Sequence, residues 1–180
     1  MAKLKIDNIG ILGGSFDPAH EGHLAISKIA IKKLKLKKIY WVITKKNPLK
    51  KNPLFSLKRR LLLAKKIVEN VGKIRVLYLD DILKSSRTIN AIKYIFQKDK
   101  PKNLYLIIGS DILLEFHKWK SWKKIVKLTK LIVFSRKGYD RKSKESIVVK
   151  YLNKNRIIFI RNKHFDISST ALKKSLKSKY

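Results

Sequence analysis

Gly13-Gly14-Ser15-Phe16-Asp17-Pro18-Ala19-His20-Glu21-Gly22-His23 is the stretch whose reading decides the fold. An apolar run, Ile9-Gly10-Ile11-Leu12, leads into it, and an apolar helical pattern beginning at Leu24 leads out. The order is strand, glycine turn, helix, the first half of a βαβ unit. Adjacent glycines allow a tight turn and let a large group approach their N–H donors. The helix N-terminus adds about half a positive charge aimed at the same place. His20 and His23, three residues apart, share one face of the first helical turn. An anion belongs at such a place, above all a nucleotide phosphate.

A metal centre fits poorly. Zinc takes at least three protein ligands, whereas the chain has no cysteine and, outside this pair, only His117 and His164. No Gly-Lys-Ser/Thr follows the glycines, so this is not a Walker loop, and the GxGxxG spacing of dinucleotide folds is missing. The full eleven-residue string is far more specific than its parts. It resembles the signature of the nucleotidyltransferase superfamily, GG(S/T)FDPxHxGH, whose members transfer an AMP or CMP unit.

The composition agrees with one domain over residues 1–180 that has a real core, at 44% hydrophobic residues. Absence of cysteine excludes disulfides and thiol chemistry and suits a reducing compartment. The N-terminal Met1-Ala2-Lys3-Leu4-Lys5 has no signal-peptide core, and no apolar stretch reaches the ~18 residues of a membrane span. We therefore expect a cytoplasmic protein. The formal charge of +33 would by itself suggest a nucleic-acid binder. The lysines are scattered through almost every segment, however, and most read as a solvated surface that steers anionic substrates inward.

Along the chain, a first helix over 22–34 is followed by a strand at Ile39-Tyr40-Trp41-Val42-Ile43 and a polar loop from Thr44 to Pro53 containing Pro48. Ser56 is a helix N-cap, with Leu57, Leu61, Ala64, Val68 and Val71 on one face and Gly72 ending the helix. A third strand covers 74–79. Asp80-Asp81 opens a loop to Thr88, which starts a helix through about Gln97. A fourth strand, 104–108, ends in Gly109-Ser110-Asp111. A helical stretch with Trp119 and Trp122 leads to a fifth strand at 131–134, then a polar loop over 138–146, a helix to about Leu152 and a last strand at 157–160. Ile167-Ser168-Ser169-Thr170 reads as a capped helix start. Strict alternation predicts an α/β doubly wound fold with a mainly parallel sheet, Rossmann-like. Ligands in such folds bind beyond the carboxyl ends of the strands, where the segments at Gly13, Thr44, Asp80, Gly109 and Arg136 converge.

The opening motif, Ile108-Gly109-Ser110-Asp111 and the terminal Ser168-Ser169-Thr170 box together resemble the bacterial nicotinate-mononucleotide adenylyltransferases, from about Ile9 to Lys173. The resemblance implies direct in-line attack of the mononucleotide phosphate on the α-phosphorus of ATP, with no covalent intermediate, giving deamido-NAD and pyrophosphate in NAD biosynthesis. Positioning and charge stabilisation then carry the reaction. It implies that Gly13, Gly14, Ser15 and Phe16 lie against ATP, that His20 and His23 are the catalytic pair on its phosphates, and that Mg2+ arrives on those phosphates. Gly109, Asp111, Ser168, Ser169, Thr170 and Lys173 would complete the ATP site. Lys173 stands where the family usually has arginine, keeping the charge but losing the bidentate fork. Thr88 would bind the nicotinate carboxylate and Trp119 stack on the pyridine ring, with Lys50 and Arg136 on the mononucleotide side. Against these stand plainer roles: N-capping for Asp111, core packing for Trp119 unless Trp122 on an adjacent face supplies it, a solvated loop for Lys50, and surface positions for His117 and His164. Arg59 resembles a family arginine with a structural role.

Two other readings remain. Phosphopantetheine adenylyltransferase shares the opening motif, but the Thr88/Trp119 pair and residues 108–122 resemble the nicotinate enzyme more. A basic nucleic-acid-binding protein that kept the fold without the chemistry is opposed by the intact His20/His23 pair.

Overall fold

The computed structural model describes residues 7–46 and 52–161. Among these, six strands form one sheet: β1 (Asn8–Gly14), β2 (Lys38–Ile43), β3 (Ile74–Tyr78), β4 (Asn103–Gly109), β5 (Lys130–Phe134) and β6 (Ile157–Ile160). Their spatial order is β3-β2-β1-β4-β5-β6, and every pairing is parallel. The helices are α1 (Glu21–Leu34), α2 (Leu57–Val68), α3 (Asp80–Leu83), α4 (Thr88–Asp99), α5 (Ser110–Glu115), α6 (Trp122–Leu128), α7 (Asp140–Lys144) and α8 (Ile147–Tyr151), with short 3-10 turns at Phe116–Lys118 and Lys154–Arg156. No described helix is long and apolar enough to cross a membrane.

A parallel sheet is covered on both faces, so its strands read as continuous apolar runs; Leu104 to Ile108 are all buried. The two-residue alternation divides these side chains between two cores. Ile9, Ile11, Val42, Leu106 and Val133 face α4, α5, α6 and α8. Leu12, Trp41, Ile43, Ile107 and Phe134 face α1 and α2, where Ala30 and Ala64 let the helices come close. The reversal of strand order falls between β1 and β4, with Ile11 opposite Leu106.

Two expected loops are helical. Asp80 opens α3, where its carbonyl accepts from Ser85 N–H (3.0 Å) and its carboxylate from Lys45 N–H (2.8 Å). A single turn is too short to show periodicity. Within 138–146 lies α7, folded because Ser143 is fully buried and its hydroxyl donates to the Asp140 carbonyl (2.9 Å). The helix before β3 ends at Val68, ahead of Gly72, and α4 runs on to Asp99.

Trp41 has no exposed surface and donates its indole N–H to Ser27 Oγ at 2.9 Å. Trp41→Ala is expected to cost about 3–5 kcal/mol, seen as a lower urea midpoint. Phe159→Ala, on a side chain 38% exposed, should cost under about 1 kcal/mol. Equal losses would contradict this division of the core.

Candidate active site

Gly13 and Gly14 are still strand, in register with Val42 and Ile43. The expected glycine turn is therefore displaced: the chain reverses after the glycines, at Phe16, whose φ is 46°, and at the cis Asp17–Pro18 peptide. A Cβ on Gly13 would meet no described atom within 4 Å, and one on Gly14 would touch only Phe16, at 3.7 Å. The fold does not require glycine there. The missing side chains leave bare backbone beside open space.

His20 is the N-cap of α1, not a member of its first turn as expected, and His23 is the third helical residue. The two imidazoles cap reciprocally. Gly22 N–H donates to His20 Nδ1 (3.1 Å), and His20 N–H donates to His23 Nδ1 (3.3 Å). The ring centroids are 3.9 Å apart. Because both Nδ1 atoms accept, each neutral ring carries its proton on Nε2. Phe16 lies against both His23 (4.7 Å) and Trp41 (5.0 Å). Ser27, bonded to Trp41, donates to the His23 carbonyl (2.8 Å).

Gly109, Asp111 and Arg136 form the opposite wall. Asp111 Oδ1 lies 3.8 Å from Arg136 Nε. A Cβ on Gly109 would collide with that same oxygen and press on Arg136, so any other residue there would push the Asp111 carboxylate from its place. The N-cap of α5 is Gly109, without a side-chain bond, so Asp111 is not the cap. Asp140 fixes the exit of β5: its Oδ1 accepts from Ser110 Oγ (2.9 Å) and Arg136 N–H (3.1 Å). Burial opposes its charge, but the bonds from Ser110, Ser135 and Arg136 hold its carboxyl below the usual range.

Four buried side-chain polar atoms have no hydrogen-bond partner among the described residues: His20 Nε2, Thr44 Oγ1, Asp111 Oδ1 and His117 Nδ1. The first three belong to segments leaving β1, β2 and β4 at the same rim, and Thr44 N–H donates to the Gly14 carbonyl (3.0 Å). Native proteins seldom bury polar atoms unpaired, so their convergence marks a ligand surface.

Thr88 is the half-buried first residue of α4. Trp119 follows the first 3-10 turn, half-buried, with one face stacked on Phe116 at 4.8 Å. Trp122 also reaches the core and meets Tyr151 edge-on at 5.0 Å. Both tryptophans thus pack, rather than Trp122 in place of Trp119. His117 is half-buried, not on the surface. Lys50, Ser168, Ser169, Thr170, Lys173 and His164 lie outside the described residues. No group of three or more His, Asp or Glu placed to hold a metal ion occurs among the described residues.

The residue missed from sequence is Arg60. Arg59, expected to be structural, lies exposed over the Phe55 ring at 4.4 Å. Arg60 is 1% exposed. Its Nε donates to the Phe55 carbonyl (3.1 Å), Nη1 to those of Ser15 (2.6 Å) and Thr44 (2.8 Å), and Nη2 to that of Lys45 (3.0 Å). A signal existed, since Arg60 sits four residues before Ala64 and eight before Val68, on the buried stripe.

A family model described as cytidylyltransferase-like matches residues 11–175. A protein of Pelagibacter ubique named probable nicotinate-nucleotide adenylyltransferase is 48% identical over 94% of each chain. The chain belongs to this family. A protein of the same name from Aquifex aeolicus is 37% identical over 89% of this chain and 98% of its own. The fold matches that of the Plasmodium falciparum nicotinic acid mononucleotide adenylyltransferase complexed with NaAD, with a TM-score of 0.71, 24% identity, and 93% of this chain and 83% of that one covered.

Burial, and then the positive charge of Arg136, lower the His20 pKa to about 4, so its ring is neutral at pH 7. The unfolded chain takes up this proton near pH 6.5. His20 therefore costs no stability above that pH and destabilises progressively as pH falls to about 4. Titration of the His20 ring by NMR should give a midpoint near 4, and ATP should raise it by bringing negative charge to Nε2. A midpoint near 6.5 in the free protein would contradict the buried placement.

Proposed function

We propose that the rim holding His20, His23, Asp111 and Arg136 is where ATP and nicotinate mononucleotide are bound and joined. The enzyme transfers the adenylyl unit of ATP to nicotinate mononucleotide, giving deamido-NAD and pyrophosphate, a step of NAD biosynthesis. The reading is supported by the membership just described and carried by one observation: His20 Nε2, Thr44 Oγ1 and Asp111 Oδ1, buried without hydrogen-bond partners among the described residues, sit on the segments that leave β1, β2 and β4 at one rim.

In the reaction a phosphate oxygen of the mononucleotide attacks the α-phosphorus of ATP. The new O–P bond forms as the α–β bridging bond breaks, and its electron pair leaves with pyrophosphate. No side chain need become covalently attached. The triphosphate lies along Gly13 to Phe16 and the N-terminal end of α1, where backbone donors and the helix dipole meet its charge. His20 donates from Nε2 as a neutral imidazole that needs no proton transfer, and His23, which accepts the His20 N–H, holds the pair in register. Arg136 adds a fixed positive charge, held in place through its main chain by Asp140. Magnesium would arrive on the ATP phosphates, where it would neutralise their charge, and Asp111, paired only loosely with Arg136 at 3.8 Å, would be the carboxylate at this rim to hold it. Thr88 receives the nicotinate carboxylate, and the face of Trp119 away from Phe116 receives the ring. We assign Lys50 to binding the mononucleotide, and Ser168, Ser169, Thr170 and Lys173 to binding ATP. We place the enzyme in the cytoplasm.

Pyrophosphate release from Mg–ATP, compared with nicotinate mononucleotide, nicotinamide mononucleotide and 4′-phosphopantetheine, tests this. Turnover is expected with nicotinate mononucleotide, with a loss on the order of 10²–10³ in kcat for His20→Ala. Trp119→Ala should raise KM for the mononucleotide and leave that for ATP nearly unchanged. Turnover with phosphopantetheine alone would overturn the acceptor, and none with any acceptor from folded protein would overturn the activity.

A further inference from the structure

Arg60 carries a charge into the interior, and each of its four hydrogen bonds ends on a main-chain carbonyl at the rim. A guanidinium presents its donors in a rigid planar fork, so the carbonyls it joins are held at fixed separations. Here they come from three segments: Ser15 beyond β1, Thr44 and Lys45 beyond β2, and Phe55 ahead of α2. The same segments are cross-tied without it. Asp17 accepts from the N–H groups of Leu54 (2.7 Å) and Phe55 (2.9 Å), and Asp80 from that of Lys45. Burial works against the charge of Arg60, and Asp17 and Asp80 support it.

Ser15 is the link to chemistry. It precedes Phe16, whose left-handed backbone lays its ring on His23, and His23 in turn accepts from His20 N–H. We infer that Arg60 is a positioning residue for adenylyl transfer: without touching either substrate, it fixes the Ser15–Phe16 turn and, through the Phe16 ring, the orientation of both imidazoles. This rests on the reaction assigned above. Losing this group would also cost stability, since four main-chain carbonyls would lose their donor, so catalysis and the His20 titration, not melting, separate the two roles. A fork gripping both loops that flank the phosphate site serves geometry.

The test is Arg60→Lys, which keeps the charge and loses the fork, beside Arg60→Met. The control is Asp99→Asn, which breaks the bonds of Asp99 with Tyr40 (2.7 Å) and Lys38 (3.3 Å) at the opposite end of the sheet. Both Arg60 variants should lose on the order of 10²-fold in kcat at saturating substrates, and their His20 ring should titrate above the wild-type value of about 4. Asp99→Asn should lower the melting temperature with kcat and the His20 titration unchanged. A lower melting temperature in Arg60→Lys with kcat within about twofold, or with His20 titrating as in wild type, overturns the proposal. Should the wild type not use nicotinate mononucleotide, the assigned reaction fails, while the His20 titration still decides the role of Arg60.

Discussion

The site depends on the topological reversal between β1 and β4. These strands lie side by side, yet the helix after β1 packs on one face of the sheet and the helix after β4 on the other. The two chains part as they leave the sheet, and a crevice has to open between them. Everything with chemical character is set around that parting: His20 and His23 on the side of β1, Gly109, Asp111 and the neighbouring Arg136 on the side of β4. Burial of two apolar faces produces the sheet, and the sheet produces the crevice without further instruction.

Within the crevice, electrostatics are set by burial and by Arg136, which together keep the His20 ring neutral at pH 7. The Asp111–Arg136 pair, both about one-third exposed, contributes little to stability as a surface ion pair. Its effect is local, folding a carboxylate over Gly109 that any side chain there would displace. At longer range the net charge of +33 draws phosphate-bearing molecules toward the surface. The same charge that reads as nucleic-acid affinity on composition alone serves a nucleotide enzyme equally well.

Much of this was legible in the residues. Apolar runs with intervening helical periodicity determine six strands in a doubly wound order, and the Gly13-to-His23 string names both the rim and its family. What escaped the sequence was tertiary in origin. Helices α3 and α7 are single turns held by Asp80 and Asp140 making contacts 35 and 30 residues away along the chain, which no local period reveals. The turn belongs to Phe16 and not to the glycines, because strand pairing carries through Gly14. Arg60 was passed over because a charge among apolar positions reads as an interruption, and only its four carbonyl acceptors show that it belongs there.

The indole of Trp41 lies beneath this arrangement, 6.0 Å from the His23 ring and 5.0 Å from Phe16, sealed from solvent and tied through Ser27 to the first turn of α1. Of the three tryptophans in the chain it alone is fully buried, the other two being half-exposed. An indole in an apolar cage is expected to emit to the blue of indoles in partial contact with water, so the protein carries its own optical reporter within 6.0 Å of the His23 ring.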